Sequence, residues 1–467
     1  MSPEAVLSPE AAARRLLHSL ASPTRILVAI SGGSDSTGLL LALSEALKAE
    51  PDPKISLCAA TIDHDLRAGS ADEARQVAAL CTSLHIPHAT RVWRGAKPKT
   101  GIMAAAREAR YALLADAAAE LRADLVVTAH TLDDQRETLA MRSTRSDSLT
   151  TGIADAVLFD RRIWIVRPLL SCLRTDIRAY LTARGATWLD DPSNENMKYE
   201  RVRTRAALAG EGTVQDEPAA ADARLALASQ AMAWAGQYFK LPVEGLGHVA
   251  RDGLSASGPV ISYALGRLAA VFGGQPFPPG RTQIARVVGF VTAGVPGRMT
   301  VGRVVFDLRR DGLYLTREDR GMLPLVLAQG ARGIWDGRVV IKNNSPFSLE
   351  IDTHSALDAG HRANGCLFPL PVSSALEFSG ERELEGAKAA HLPKAALKRA
   401  LAAQPYVRVA ENLPADFHLD VSATPYFAPF DRFLTRFDFI FAGSLAAAFG
   451  TRPYPSPPLG LIDGKTN

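Results

Sequence analysis

Over the first two hundred residues, short runs of aliphatic and β-branched side chains alternate with longer stretches whose apolar positions recur at a helical period. Residues 25–30, 55–62, 89–94, 125–129 and 163–166 read as strands, and residues 36–49, 71–84, 103–121 and 133–142 as helices. Strands alternating with helices in this way predict a parallel sheet covered on both faces, an α/β fold. The run Leu125-Val-Val-Thr-Ala129 is almost continuously apolar, as a strand buried on both sides must be. A polar stretch at 210–218 breaks the pattern and reads as a linker. Beyond it, 219–239 and 262–271 read as helices, and Asp311-Gly312 between two β-rich runs signals a hairpin. From about residue 330 short strands, prolines and turns dominate, and 453–467 reads as a ragged tail. Three regions follow: 1–216, a helical linker and middle region at 217–329, and a C-terminal region at 330–467, the last two forming smaller α and α+β domains.

Composition narrows this only a little. A chain of 467 residues is too long for one ordinary core, and 47% hydrophobic with 22% charged residues is typical of a soluble globular protein. A formal net charge of +4 permits a nucleic-acid partner without requiring one. Cys58, Cys81, Cys172 and Cys366 are far apart and form no C-x-x-C pair, which disfavours a zinc ribbon or redox dithiol. Residues 1–20 lack the basic start and apolar run of a secretory leader, and no stretch nears the ~18 apolar residues of a membrane span. The expectation is a cytoplasmic protein without a membrane partner.

Candidate chemistry begins where the first strand ends. Ser31-Gly32-Gly33-Ser34-Asp35-Ser36 lies between a strand and a helix. Glycines there let backbone N–H groups approach an anion, the helix N-terminus adds partial positive charge, and the serines add hydroxyl donors. Asp35 is placed to hold a Mg²⁺ that neutralises phosphates. The loop lacks the spacing of a Walker A motif, and as a bare sequence it is also compatible with a Ser/Gly turn. A second cluster, His130-Thr-Leu-Asp-Asp-Gln-Arg-Glu-Thr138, follows the fourth strand. Carboxyl ends of parallel strands are where such folds bind ligands, so this cluster belongs beside the first loop. Asp134 and Glu137 share a helix face; equally, Thr131 can cap the helix and Asp133 and Asp134 complement its dipole. A third signal is Asp190-Asp-Pro-Ser-Asn194, followed by Arg201, Arg203 and Arg205, which suit phosphate binding or a solvated face.

Ser31–Ser36 in its strand–loop–helix setting resembles the pyrophosphate loop of the N-type ATP pyrophosphatases (PP-loop ATPases), whose parallel-sheet, adenine-nucleotide alpha-hydrolase-like domain cleaves ATP to AMP and pyrophosphate. Together with His130–Thr138, the Asp-Pro-Ser-Asn segment and the arginines, it resembles the tRNA(Ile)-lysidine synthetase family. Asp63-His-Asp-Leu-Arg67, Ala106-Arg-Glu-Ala-Arg-Tyr111 and Arg167-Pro-Leu-Leu170 agree with that family. The loop from Arg145 to Gly152 lacks its tight glycine spacing, and Val202 stands where the family tends to place Asn.

The resemblance implies an ATP-dependent ligase that adenylates the C2 oxygen of cytidine 34 in the CAU anticodon of tRNA(Ile). The ε-amine of free lysine then displaces AMP to give lysidine. Ser31, Gly32, Gly33, Ser34, Asp35, Ser36 and His130 would bind ATP, with Asp35 toward Mg²⁺. Asp134 and Glu137 are the candidates for lysine, and Arg201, Arg203 and Arg205 for tRNA phosphates. A homodimer is compatible with the sequence. The alternative is a tRNA thiolase of the same superfamily, which would need a reactive cysteine.

Overall fold

The computed structural model describes residues 6–21, 23–66, 69–98, 100–143, 152–190, 217–353, 365–370, 372, 391–410 and 419–460. Strand β1 (Thr24–Ala29) owes its place to Ile26, Leu27 and Val28, all with no exposed surface. Successive side chains point to opposite faces, so a strand with no polar face must be covered on both. With β2 (Ile55–Asp63), β3 (His88–Val92), β4 (Leu125–Val127), β5 (Ala156–Phe159) and β6 (Ile163–Val166) it builds a sheet in the order β5-β6-β4-β1-β2-β3. Ile26 of β1 lies opposite Leu57 on one side and Leu125 on the other, both in parallel register. Leu125 in turn lies opposite Trp164 of β6, again parallel.

The strands and helices predicted in this region are found with ends within two residues of expectation. The periodicity does not predict β5, which makes the sheet mixed rather than parallel throughout. It pairs antiparallel with β6 through Asp160 and Arg161, both at positive φ, as a tight hairpin turn requires.

Helices α1 (Pro9–His18), α2 (Ser34–Ala49), α3 (Ser70–Ser83), α4 (Ile102–Glu120), α5 (Leu132–Ser143) and α6 (Arg174–Ala183) flank the strands. Helix α2 packs against α6 at Gly38, where a Cβ would sit 2.4 Å from Cγ2 of Ile177. The missing side chain sets how closely α6 approaches the loop that opens α2. The tail is not ragged over its described part. Leu459 is buried and bridges Leu20, and the Trp164 indole N–H donates to the Pro455 carbonyl at 2.8 Å. Apolar and ring contacts hold a segment that its prolines alone make look like coil.

The chain divides into two compact units, residues 1–225 with 435–437 and 455–467, and residues 226–434 with 438–454; helix α7 (Glu217–Tyr238) runs across the division. In the second unit β7 (Phe239–Val243), β8 (Leu246–Ala250), β9 (Gly297–Val301), β10 (Val304–Leu308) and β11 (Gly312–Arg317) form an antiparallel sheet, and β10 and β11 are the predicted Asp311-Gly312 hairpin. Two smaller antiparallel sheets follow. In the same unit the fully buried carboxylate of Asp336 takes the guanidinium groups of Arg303, Arg317 and Arg338. Among the described residues no helix is long and apolar enough to cross a membrane.

Gly38→Ala should lower stability by about 1–3 kcal/mol through overpacking against Ile177, although Ala is the better helix former. Adding Ile177→Ala should recover part of the loss. Urea unfolding of the two single variants and the double variant reads the coupling directly, and strictly additive losses would remove the contact from the explanation.

Candidate active site

Strand order reverses between β1 and β4, because the chain leaves β1 toward β2 on one side and reaches β4 on the other. A crevice opens at the carboxyl ends of two strands whose connections part in this way. The loop 31–36 follows β1, His130 and the start of α5 follow β4, and the start of α6 follows β6, so three chain segments meet at one edge.

Gly32 must be glycine. Its φ is +87°, and a Cβ would lie 2.6 Å from Leu189 Cδ1, while its carbonyl accepts from the Leu189 N–H at 2.9 Å. Gly33 is the N-cap of α2 and offers no side-chain cap, which leaves first-turn N–H groups facing the crevice. The loop is tied inward: Ser36 Oγ takes the Ser31 N–H and donates to the Gly33 carbonyl, both at 3.1 Å, and Thr37 Oγ1 donates to the Gly32 carbonyl at 3.2 Å. These bonds hold a concave row of donors suited to an anion.

Across the crevice Thr131 and Asp134 cap α5. Asp134 Oδ2 accepts from the Thr131 N–H at 2.9 Å and from its hydroxyl at 3.2 Å. The capping reading of Asp134 is what the structure shows, and its other oxygen is turned toward Arg174. There the guanidinium of Arg174 donates from Nε to Asp35 Oδ2 at 3.0 Å and from Nη2 to Asp134 Oδ1 at 3.4 Å, with Nη1 3.9 Å from Glu137 Oε1. Asp133 Oδ2 accepts the Arg174 backbone N–H at 2.8 Å and so caps α6, whose own N-cap Leu173 supplies no side-chain bond. The Glu137 side chain is 2% exposed. His130 follows β4, with Nδ1 3.1 Å from Thr128 Oγ1. Burial pushes the Asp35 carboxyl above its ordinary range, Arg174 pulls it partly back, and Asp134 adds to the rise.

The family model described as a PP-loop domain matches residues 8–211. A tRNA(Ile)-lysidine synthase of Rhizobium meliloti is 39% identical over 470 residues, covering 98% of this chain and 98% of that protein. One from Mesorhizobium japonicum is 38% identical, covering 93% and 94%. One from Brucella melitensis is 36% identical, covering 70% and 76%. The chain belongs to the tRNA(Ile)-lysidine synthase family. Among solved structures, a U34-tRNA thiolase from Methanococcus maripaludis matches 43% of this chain and 71% of its own at a TM-score of 0.37 and 16% identity.

Of the residues singled out for this lysidine synthase family member, Asp35, Asp134 and Glu137 are brought together, with Ser31, Gly32, Gly33, Ser34, Ser36 and His130 around them. Arg201, Arg203 and Arg205, residues 191–194, and the loop from Arg145 through residue 151 lie outside the described residues. Arg174 is absent from the sequence reading. Its signal was an arginine in the first turn of a helix, where the dipole disfavours a cation unless carboxylates come from elsewhere. Two family-like motifs prove to be bracing. Tyr111 is 1% exposed, and the Arg167 guanidinium donates to its hydroxyl at 3.4 Å, joining α4 to the turn after β6. Burial pushes the Tyr111 phenol up, but Arg167, Arg110 and Arg107 outweigh it and bring it down to about 7. Cys58, Cys81 and Cys172 are buried, and burial raises their thiols, to about 11 at Cys81 and about 12 at Cys172, so none of these three is a ready sulfur carrier.

The raised Asp35 carboxyl carries a stability prediction. A folded-state value above the unfolded one adds stability that is complete below the unfolded value and is lost as pH rises through the folded one. Asp35→Asn removes that ionisation, so it should melt higher than the parent at pH 7, with the advantage shrinking toward about pH 4, the ordinary carboxyl value. Thermal melts at the two pH values check this; an equal or lower melting temperature at pH 7 would contradict it.

Proposed function

We propose that the protein ligates free L-lysine to C2 of cytidine 34 in the CAU anticodon of tRNA(Ile), consuming ATP and releasing AMP and pyrophosphate. The observation that carries this reading is the meeting of an anion-binding loop and a carboxylate pair at one crevice, with Asp35 and Asp134 on the same guanidinium. One side suits a polyphosphate and the other an ammonium-bearing amino acid. Family membership supports the pairing of these two substrates with tRNA.

In the first step the C2 oxygen of cytidine attacks the α-phosphorus of ATP and the α–β bond breaks. The backbone N–H groups at the start of α2 would take the charge gathering on pyrophosphate, and the hydroxyls of Ser31, Ser34 and Ser36 would rotate from their present partners to assist. His130 would contact the phosphates. In the second step the ε-nitrogen of lysine forms a bond to C2 and the C2–O bond breaks with AMP as leaving group. Asp134 and Glu137 would hold the amino acid for that attack, and burial of Glu137 limits water in the pocket. Oxygen donors at Asp35 and its neighbouring hydroxyls fit Mg²⁺, which prefers one or two carboxylates plus substrate phosphates. When bound there it would neutralise phosphate charge. Cytidine 34 must leave the anticodon stack to reach the crevice, as base-modifying enzymes require. Arg201, Arg203 and Arg205 would grip the tRNA backbone. The reaction belongs in the cytoplasm, where its three substrates meet.

Incubation with ATP, labelled lysine and total tRNA should place label in one isoleucine tRNA; label that instead depends on a sulfur donor would favour thiolation. Asp35→Ala should abolish ATP–pyrophosphate exchange with the fold intact, and near-normal exchange would remove Asp35 from the chemistry. Replacing Arg201, Arg203 and Arg205 with Ala should flatten the salt dependence of tRNA affinity by a log–log slope of about 2–3, and an unchanged slope would return them to a solvated face.

A further inference from the structure

Among the described residues the crevice brings four carboxylates, Asp35, Asp133, Asp134 and Glu137, around Arg174. None of the three that face the Arg174 side chain is more than 22% exposed, and that side chain is itself 18% exposed. Both oxygens of Asp35 are engaged, Oδ1 by the Ser34 hydroxyl at 3.2 Å and Oδ2 by Arg174 Nε. Both oxygens of Asp134 are engaged too, by Thr131 and by Arg174 Nη2. A cation that binds Asp35 or Asp134 therefore meets the same guanidinium. The Arg174 backbone cannot retreat, because its N–H is fixed to Asp133 and the buried Ile177 and Leu181 anchor α6. Only the side chain can yield.

We propose that Arg174 is a resident cation that substrates displace, and that its displacement couples the nucleotide and lysine sites. In the substrate-free protein its fork neutralises the carboxylates and keeps α2, α5 and α6 assembled. Mg²⁺ with nucleotide at Asp35 takes away one arm of the fork and loosens its hold on Asp134 and Glu137, which then accept an ammonium at lower cost. Linkage makes the effect mutual: lysine at Asp134 and Glu137 releases Asp35 for the nucleotide. Arg174 is thus a positioning residue that orders substrate binding. The proposal rests on the reading that Asp134 and Glu137 hold lysine.

Calorimetric titration of L-lysine into the full-length protein, with and without Mg²⁺ and an α,β-methylene analogue of ATP, tests it. In the parent protein the analogue should tighten lysine binding by a factor on the order of 10, and lysine should tighten the analogue by the same factor. In Arg174→Ala the factor should fall to about one while lysine binds the nucleotide-free protein at least as tightly as before, because its competitor is gone. Arg174→Gln retains a donor to Asp35 without the charge and should behave alike should the alanine variant fail to fold. No coupling in the parent, parental coupling in both variants, or an equal weakening of both ligands, as a purely structural arginine would give, each overturns the exchange. Glu137→Ala, titrated in parallel, separates the two readings. Undiminished lysine affinity there refutes the lysine assignment and the exchange with it; lost affinity beside unchanged coupling in Arg174→Ala refutes the exchange alone.

Discussion

The reversal of strand order beside β1 is the constraint on which the first unit depends. Because β1 is hydrogen-bonded to parallel strands on both sides, the loops leaving β1 and β4 part to opposite faces and cannot fill the space between them. Every charged group of the candidate site is delivered to that space from a strand end. The apolar strands therefore do more than supply a core. Their continuous burial holds the three delivering segments in a fixed relation, so that side chains 99 to 139 residues apart in sequence, such as Asp35 with Asp134 or Arg174, meet within hydrogen-bonding range of one guanidinium.

That convergence is costly. Burial alone would drive the Asp35 carboxyl toward its neutral form, and Asp134 pushes in the same direction. Arg174 opposes this drive only in part. Four carboxylates brought to one crevice are what make it attractive to cations. A site poised in this way gives up stability that a neutral side chain at Asp35 would restore, the usual relation between function and stability at a strained centre.

How much of this was legible in the sequence depends on the range of the interaction involved. Strands such as Leu125–Val127 and helices such as Ser34–Ala49 follow from local periodicity, and so were found nearly to the residue. β5 was not, because a four-residue apolar run beside its partner strand has no period of its own and declares itself only through the Asp160-Arg161 turn. The loop 31–36 was read as an anion cradle from composition and place, yet the reason Gly32 cannot change is Leu189, far along the chain. Asp134 was readable both as a cap and as a ligand; it serves as the cap, and its second oxygen meets Arg174. Arg174 escaped because nothing within a turn of it explains it. Its partners come from α2 and α5, and only the folded sheet shows them.

An arginine is also the residue this arrangement requires. The three carboxylates lie at 3.0, 3.4 and 3.9 Å from three different nitrogens of one planar group, so the contacts are graded rather than shared from a single point. A lysine ammonium is a compact charge on a flexible stem; it would settle on the nearest carboxylate and leave the others unscreened. A planar fork that stays charged at any physiological pH can surrender one arm and keep another. The group that holds the crevice together can then also sense which side of it is filled.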